Sequence, residues 1–136
     1  MKALSVHPYW AMMLVSGNKK IEVRTWQTSY RGTILICATN KKVHGLIPGH
    51  ALGTVDLIDV VPLKKDMLEQ AMLEPADYEP GLYAWIVENP RFIKPIPLRG
   101  KLSLWEYTGD IEYLPEAKTD EEDKALFNQY WKDLIW

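Results

Sequence analysis

Cysteine is nearly absent from this sequence: Cys37 stands alone among 136 residues. No disulfide can form within the chain, and no cysteine-based zinc site can be assembled. A reducing compartment suits such a chain. Apolar runs are short as well. None approaches the roughly 20 residues that a membrane-spanning helix needs. The opening MKALSVHPYW lacks the apolar stretch of a secretion signal. The expectation is a cytoplasmic protein with no membrane association. There is no Gly-rich phosphate loop and no nucleophile elbow. Phenylalanine is scarce too, with two residues against six Trp and seven Tyr. Trp and Tyr join a large apolar face to a polar handle, so they serve both cores and half-exposed sites.

What is present is ordinary for a globular chain: 47% hydrophobic and 25% charged residues, enough for one domain with one core. The net charge of −2 hides an uneven distribution. Residues 1–50 carry a net +6, residues 51–101 a net −2 and residues 102–136 a net −6. Such polarity steers an anion toward one face and away from the other, or is simply a solvated surface.

Hydrophobic spacing predicts a short helix over Pro8–Ser16, with Pro8 at its first position, Gly17 closing it, and Trp10, Met13 and Leu14 on one face. Strands are predicted at Lys20–Trp26, Thr33–Thr39, Ala51–Val61, Leu82–Glu88 and Lys101–Tyr107, with a possible bulge at Gly53 and a helix over Lys64–Leu73. A last amphipathic helix spans Asp120–Ile135, opened by the capping pair Thr119 and Glu122. Its stripe Leu126, Phe127, Tyr130, Trp131, Leu134 and Ile135 packs on the rest or serves a protein partner. Together these predict an α+β fold: a small mixed β-barrel flanked by short helices. Residues 1–110 would form the barrel domain and residues 111–136 an acidic helical extension packed on it.

Chemistry concentrates in KIEVRTW. Alternation puts Lys20, Glu22, Arg24 and Trp26 on one face of the strand, and Lys19 adds a fourth charge in six residues. A carboxylate between cations stays ionised and can accept hydrogen bonds from a base's exocyclic amine or ring N–H. Arg24 can stack on a base or grip phosphate in a bidentate fork. The same charges also suit a structural ion-pair network. The turn Tyr30-Arg31-Gly32 offers a stacking ring, five donors and close backbone approach. Trp10, Trp26 and Trp85 are stacking platforms or core residues. His7 contacts a phosphate or base edge, or caps the helix. His44 and His50 lack a third metal ligand, so no metal site is expected, and no cofactor; Lys41 and Lys42 nearby suit a phosphate. Cys37, mid-strand without a basic neighbour, reads as an inert thiol.

The run Leu4–Thr39 (LSVHPYWAMMLVSGNKKIEVRTWQTSYRGTILICAT) resembles the signature of the ASCH family (activating signal cointegrator homology). The shared features are a Leu-Ser strand, a Pro-x-Trp-Ala helix start, a helix ending in Gly, a Lys before an acidic-x-Arg strand, and a Tyr-Arg-Gly turn into an aliphatic strand. Leu52–Val60, Tyr83–Pro90 and Gly100–Trp105 also fit, so the resemblance covers about residues 3–107. The acidic tail after Gly109 has no counterpart in it. The resemblance implies a PUA-like β-barrel related to the PUA, EVE and YTH groups. It implies a nucleic-acid-binding or nucleotide-binding role, with RNA, DNA or a modified nucleoside as ligand. One bacterial branch of the family hydrolyses the acetyl amide of N4-acetylcytidine nucleosides. On that likeness the catalytic lysine falls on Lys19 and the catalytic glutamate on Glu69 or Glu74. The position of the branch's threonine nucleophile holds Glu22. Two functions besides base binding therefore stand: an amidohydrolase using Lys19, Glu22 and Glu74, and a protein-interaction module working through the C-terminal helix.

Overall fold

The computed structural model describes residues 1–136. The chain runs β1 (Lys2–Val6), α1 (Pro8–Val15), β2 (Ile21–Arg24), β3 (Gly32–Ala38), β4 (His50–Pro62), β5 (Tyr83–Pro97), β6 (Leu104–Glu106) and α2 (Asp120–Tyr130). The six strands form one sheet in the order β2-β5-β4-β3-β1-β6. Only the β1–β3 pair is parallel. The sheet curls into a half-barrel, and its ends, β2 and β6, do not pair with each other.

Alternation divides the side chains between two faces. Leu4, Val6, Ile34, Ile36, Val55 and Trp85 share the concave core with Ala11, Leu14 and Val15 of α1. Ala3, Leu35, Cys37 and Ile93 form a second cluster on the opposite face, packed by Trp105, Tyr107 and Tyr113. Ile21, Leu63, Leu68, Ala71 and Ala84 make a third cluster beside β2. Cys37 is 0% exposed and burial pushes its thiol up to about 12, so no thiolate forms at neutral pH.

Several elements differ from their sequence expectation. The strand expected over Lys20–Trp26 covers only Ile21–Arg24, and the helix expected over Asp120–Ile135 ends at Tyr130, followed by a 3-10 turn over Lys132–Leu134. The predicted helix over Lys64–Leu73 reduces to a single 3-10 turn, Lys65–Met67. The segment makes irregular turns instead: Met67 N–H to Lys64 O, Ala71 N–H to Met67 O and Met72 N–H to Glu69 O, at 3.0, 3.1 and 3.0 Å, with Met72 at φ +57°, outside the helical region. Near its end, Gln70 O accepts from the Lys20 and Ile21 N–H groups at 2.9 and 3.2 Å, and Ala71 O accepts from the Lys19 ammonium. The fourth strand does not stop at Glu88 but continues to Pro97. Pro90 and Pro95 fall where the β4–β5 register shifts, so neither proline is asked for a ladder donor. The last strand shrinks to Leu104–Glu106, paired with β1 only over Lys2–Leu4. That short partner leaves the C-terminal end of β1 free of β6.

Gly53 is required where the sheet meets α1. A Cβ there would overlap Arg91 O and lie 2.8 Å from Val15 Cγ1. Its bare backbone lets α1 settle on the concave face.

Candidate functional site

α1 brings the site together. The chain leaves β1, turns into α1 at His7, and returns to the far edge of the sheet at β2. His7 caps the helix, its Nδ1 accepting from the Tyr9 N–H at 3.1 Å, and Pro8 sits where a missing N–H costs nothing. Gly17 ends the helix with φ +84°. The Lys19 N–H then reaches back to Met13 O at 2.9 Å, which fixes Lys19 before β2 begins.

β2 sorts its residues by parity. Glu22 pairs with Trp85 of β5, a concave-core residue, so Glu22 and Arg24 face the concave side while Ile21 and Val23 face the third cluster. The result is a compact charge group. An Arg24 Nη atom lies 3.1 Å from Glu22 Oε2 and also donates to Ser5 O at 3.1 Å. Arg24 thereby crosses the open seam between β2 and the part of β1 that β6 does not cover. Lys19 Nζ lies 3.9 Å from Glu22 Oε1, donates to Ala71 O, and sits 4.4 Å from the centre of the Trp10 ring.

Lys19 and Glu22 are 3% and 6% exposed, an unusual depth for charged groups. Burial pushes the Glu22 carboxyl above its usual range, against the pull of Arg24 and Lys19. Burial likewise pushes the Lys19 amine below its usual range, with Glu22 opposing and Arg24 adding to the shift. Arg24 Nε is shielded from solvent and has no partner. An unmatched buried donor is costly unless something fills it.

These groups border a cavity of about 400 Å³ at the seam. Of the ten residues expected to touch a ligand, His7, Trp10, Lys19, Glu22 and Arg24 line it. The other five do not. Lys20 precedes the strand, is exposed, and is replaced on the inner side by Lys19. Trp85 is a core residue, 1% exposed, with no free face for a base. Trp26 packs on it edge-to-face at 4.7 Å, and the Trp26 carbonyl accepts its indole N–H at 3.1 Å. The Tyr30 hydroxyl donates to Thr33 O at 2.7 Å. Arg31 donates to Thr28 O and Tyr30 O at 2.8 and 2.7 Å and faces Asp59 at 3.6 Å, away from the cavity. Glu69 and Glu74 are exposed and outside the lining; the Glu74 N–H is held by the Asp77 carboxylate at 2.9 Å. Sequence reasoning missed the other five lining residues, Ser5, Val6, Val23, Thr39 and Leu73. Thr39 follows the aliphatic strand β3 and donates its N–H to Val6 O at 2.9 Å, a position only the parallel β1–β3 pairing reveals. Leu73 has no sequence signal at all.

A nearby metal is not served: no group of three His, Cys, Asp or Glu side chains comes together. Nor is any helix long and apolar enough to cross a membrane.

The profile of the ASCH domain matches residues 4–97, which span every part of this cavity. The chain belongs to the ASCH domain family. ASCH domains have a PUA-like fold and are associated with RNA binding. This ASCH chain is 27% identical to human activating signal cointegrator 1 and 26% identical to the mouse protein. Each alignment covers 90% of the chain but 25% of the relative, so the chain spans about a quarter of their length. In three dimensions it is similar to the crystal structure of ASCH from Zymomonas mobilis. The TM-score is 0.59 at 20% identity, over 93% of both chains. A tyrosine-to-phenylalanine mutant of that protein gives 0.58, covering 93% of this chain and 96% of the other. At this identity the likeness carries the ASCH fold.

Proposed function

We propose that this ASCH domain holds a nucleobase of RNA, DNA or a nucleotide in the Lys19–Glu22–Arg24 cavity. One observation carries the reading: a carboxylate flanked by two cations borders an open hollow that Arg24, His7 and Trp10 also line. A base edge presents the matching set, with N–H donors for Glu22 and an acceptor for Arg24. Trp10 adds an aromatic wall.

The surroundings favour an anionic ligand. Residues 23–55 and 89–105 contain no Asp or Glu. Lys41 and Lys42 follow Thr39 of the cavity wall. Arg99 and Lys101 flank Gly100, where an added Cβ would meet Ser5 Oγ. Both basic loops thus adjoin residues that border the cavity, and none of these four cations has an acidic partner. They suit phosphates on either side of a held base.

Titration of single-stranded RNA, single-stranded DNA and a nucleoside panel against the wild type and Arg24→Ala tests the reading. Binding by the wild type, weakened at least about tenfold in the variant, is expected, since hydrogen bonds to a charged group contribute roughly 1.5–3 kcal/mol. No binding by the wild type, or equal binding by the variant, sinks it.

A second reading, hydrolysis of an acylated nucleobase such as N4-acetylcytidine, rests on the Lys19 amine. Burial favours its neutral, proton-accepting form beside Glu22. Turnover of N4-acetylcytidine that is lost in Lys19→Ala would favour this enzyme over a binding module.

A further inference from the structure

The C-terminal segment is tied to the barrel at three places and loose between them. At its start, Tyr113 bridges Ile93, and the Leu114 N–H donates to Phe92 O at 3.0 Å. Further on, Trp131, 5% exposed, enters the concave core and meets Phe92 edge-on at 5.2 Å. At its end the Trp136 N–H donates to Leu46 O at 2.9 Å. Between Leu114 and Trp131 the chain arches, and α2 buries none of its residues completely.

Beside the arch lies an open cleft of about 650 Å³, separate from the charged cavity. Met12 and Val15 of α1, Ile47 and Phe92 line it from the barrel; Leu126 and Phe127 line it from α2. Large apolar side chains at this place stay in water. Phe92 is 37% exposed, Phe127 45%, and Trp136, tied to cleft residue Leu46, 55%. Clustered aromatic surface of this kind marks an interaction site. The rim is acidic. Glu116 and Asp123 line the opening, and neither has a cationic partner; the cation in the lining, Arg91, is stacked on the Tyr113 ring at 3.5 Å. From Asp110 to Asp123 the chain holds seven Asp or Glu and one Lys.

We propose that this cleft docks the apolar face of a basic amphipathic segment from another protein. Apolar anchors on one helix face would enter the groove while Lys or Arg on its flanks meets the acidic rim. The opening is wide, and acidic residues follow the arch from Glu116 to Asp123. Both suit a polymer better than a small cation, which would use one or two carboxylates. The same rim repels a phosphate backbone, which keeps this face distinct from the basic seam.

The probe is a synthetic helical peptide with Leu on one face and Lys on the other. Its counterpart carries Glu in place of Lys. Binding is followed by calorimetry and by amide NMR shifts. The Leu/Lys peptide is expected to bind one-to-one, with shifts centred on Phe92, Phe127 and Trp131, and the Leu/Glu peptide not to bind. Phe127→Glu and the double variant Glu116→Lys/Asp123→Lys each change exposed side chains and should keep the thermal melt. Each should weaken binding by at least about tenfold, as loss of a central anchor does. Three results overturn the proposal. One is shifts scattered over the acidic surface with both variants binding like the wild type. Another is equal binding of the two peptides. The third is concentration-dependent shifts of the same residues without peptide, which would make a second copy of this chain the occupant.

Discussion

Glu22 and Lys19 are held away from the water that would normally solvate them, and burial shifts the titration of both. The Glu22 pKa is raised from 4.5, so above that value the folded state binds a proton that the unfolded chain has released. Its contribution to stability is therefore most favourable at and below pH 4.5. It falls as pH rises from there to the folded pKa. Lys19 works in the opposite sense: its pKa is lowered from 10.5, so stability rises with pH through the window that ends there. The wild type is expected to lose melting temperature as pH rises above 4.5, and Glu22→Gln to flatten that fall. Melts across the acid-to-neutral range check this, and a variant retaining the wild-type slope would refute the assignment. The spacing KKIEVR made four charges legible but chose the wrong lysine for the inner face. Strict alternation assigns Lys20; the strand begins only at Ile21, and the preceding turn delivers Lys19 instead.

Among the elements, α1 and the strands β3 and β4 follow from local spacing almost residue for residue. The 64–73 segment does not: it folds into irregular turns with Met72 at φ +57°, and its last carbonyls, Gln70 O and Ala71 O, hold Lys19, Lys20 and Ile21 across the fold. α2 shows the opposite balance. Its N-terminus is set locally, with Thr119 Oγ accepting from the Glu122 N–H at 3.1 Å and the Glu122 carboxylate from the Lys118 N–H at 2.7 Å. Its attachment depends on the Trp131 ring that follows it. Trp131→Ala should cost about 3–5 kcal/mol, the usual range for emptying a large aromatic site. Phe127→Ala, on the exposed side of the same stripe, should stay within about 0.5 kcal/mol. Urea titration of the two variants measures the contrast. Similar losses would mean that the whole stripe is core.

Across the whole molecule, charge is divided. The seam between β1 and β2 adjoins the basic, acid-free segments 23–55 and 89–105, while the segment from Asp110 to Asp123 is acidic. Neutralising Lys41, Lys42, Arg99 and Lys101 one at a time should weaken binding of a single strand with little regard to its sequence. Each change should reduce the dependence of log K on log salt by about 0.7–1 per charge. Arg24→Ala should instead weaken binding at every salt concentration. Salt titrations of the five variants separate the two roles. A salt slope unchanged in all four loop variants would exclude the loops as phosphate contacts.

Strand and helix periodicity, the capping of both helices, the run of charge that becomes the cavity wall, and the family signature that ties these together are all written locally in the chain. Each depends on neighbours within a few residues. The burial of particular charges, the place of Trp85 in the core, the arrival of Thr39 and Leu73 at the cavity, and the gap that Arg24 crosses to reach Ser5 come from long-range packing alone. Those outcomes depend on strand order and on where β6 ends. Residues 5, 24, 39 and 73 reach one cavity only after the sheet has curled, and no local pattern encodes that closure.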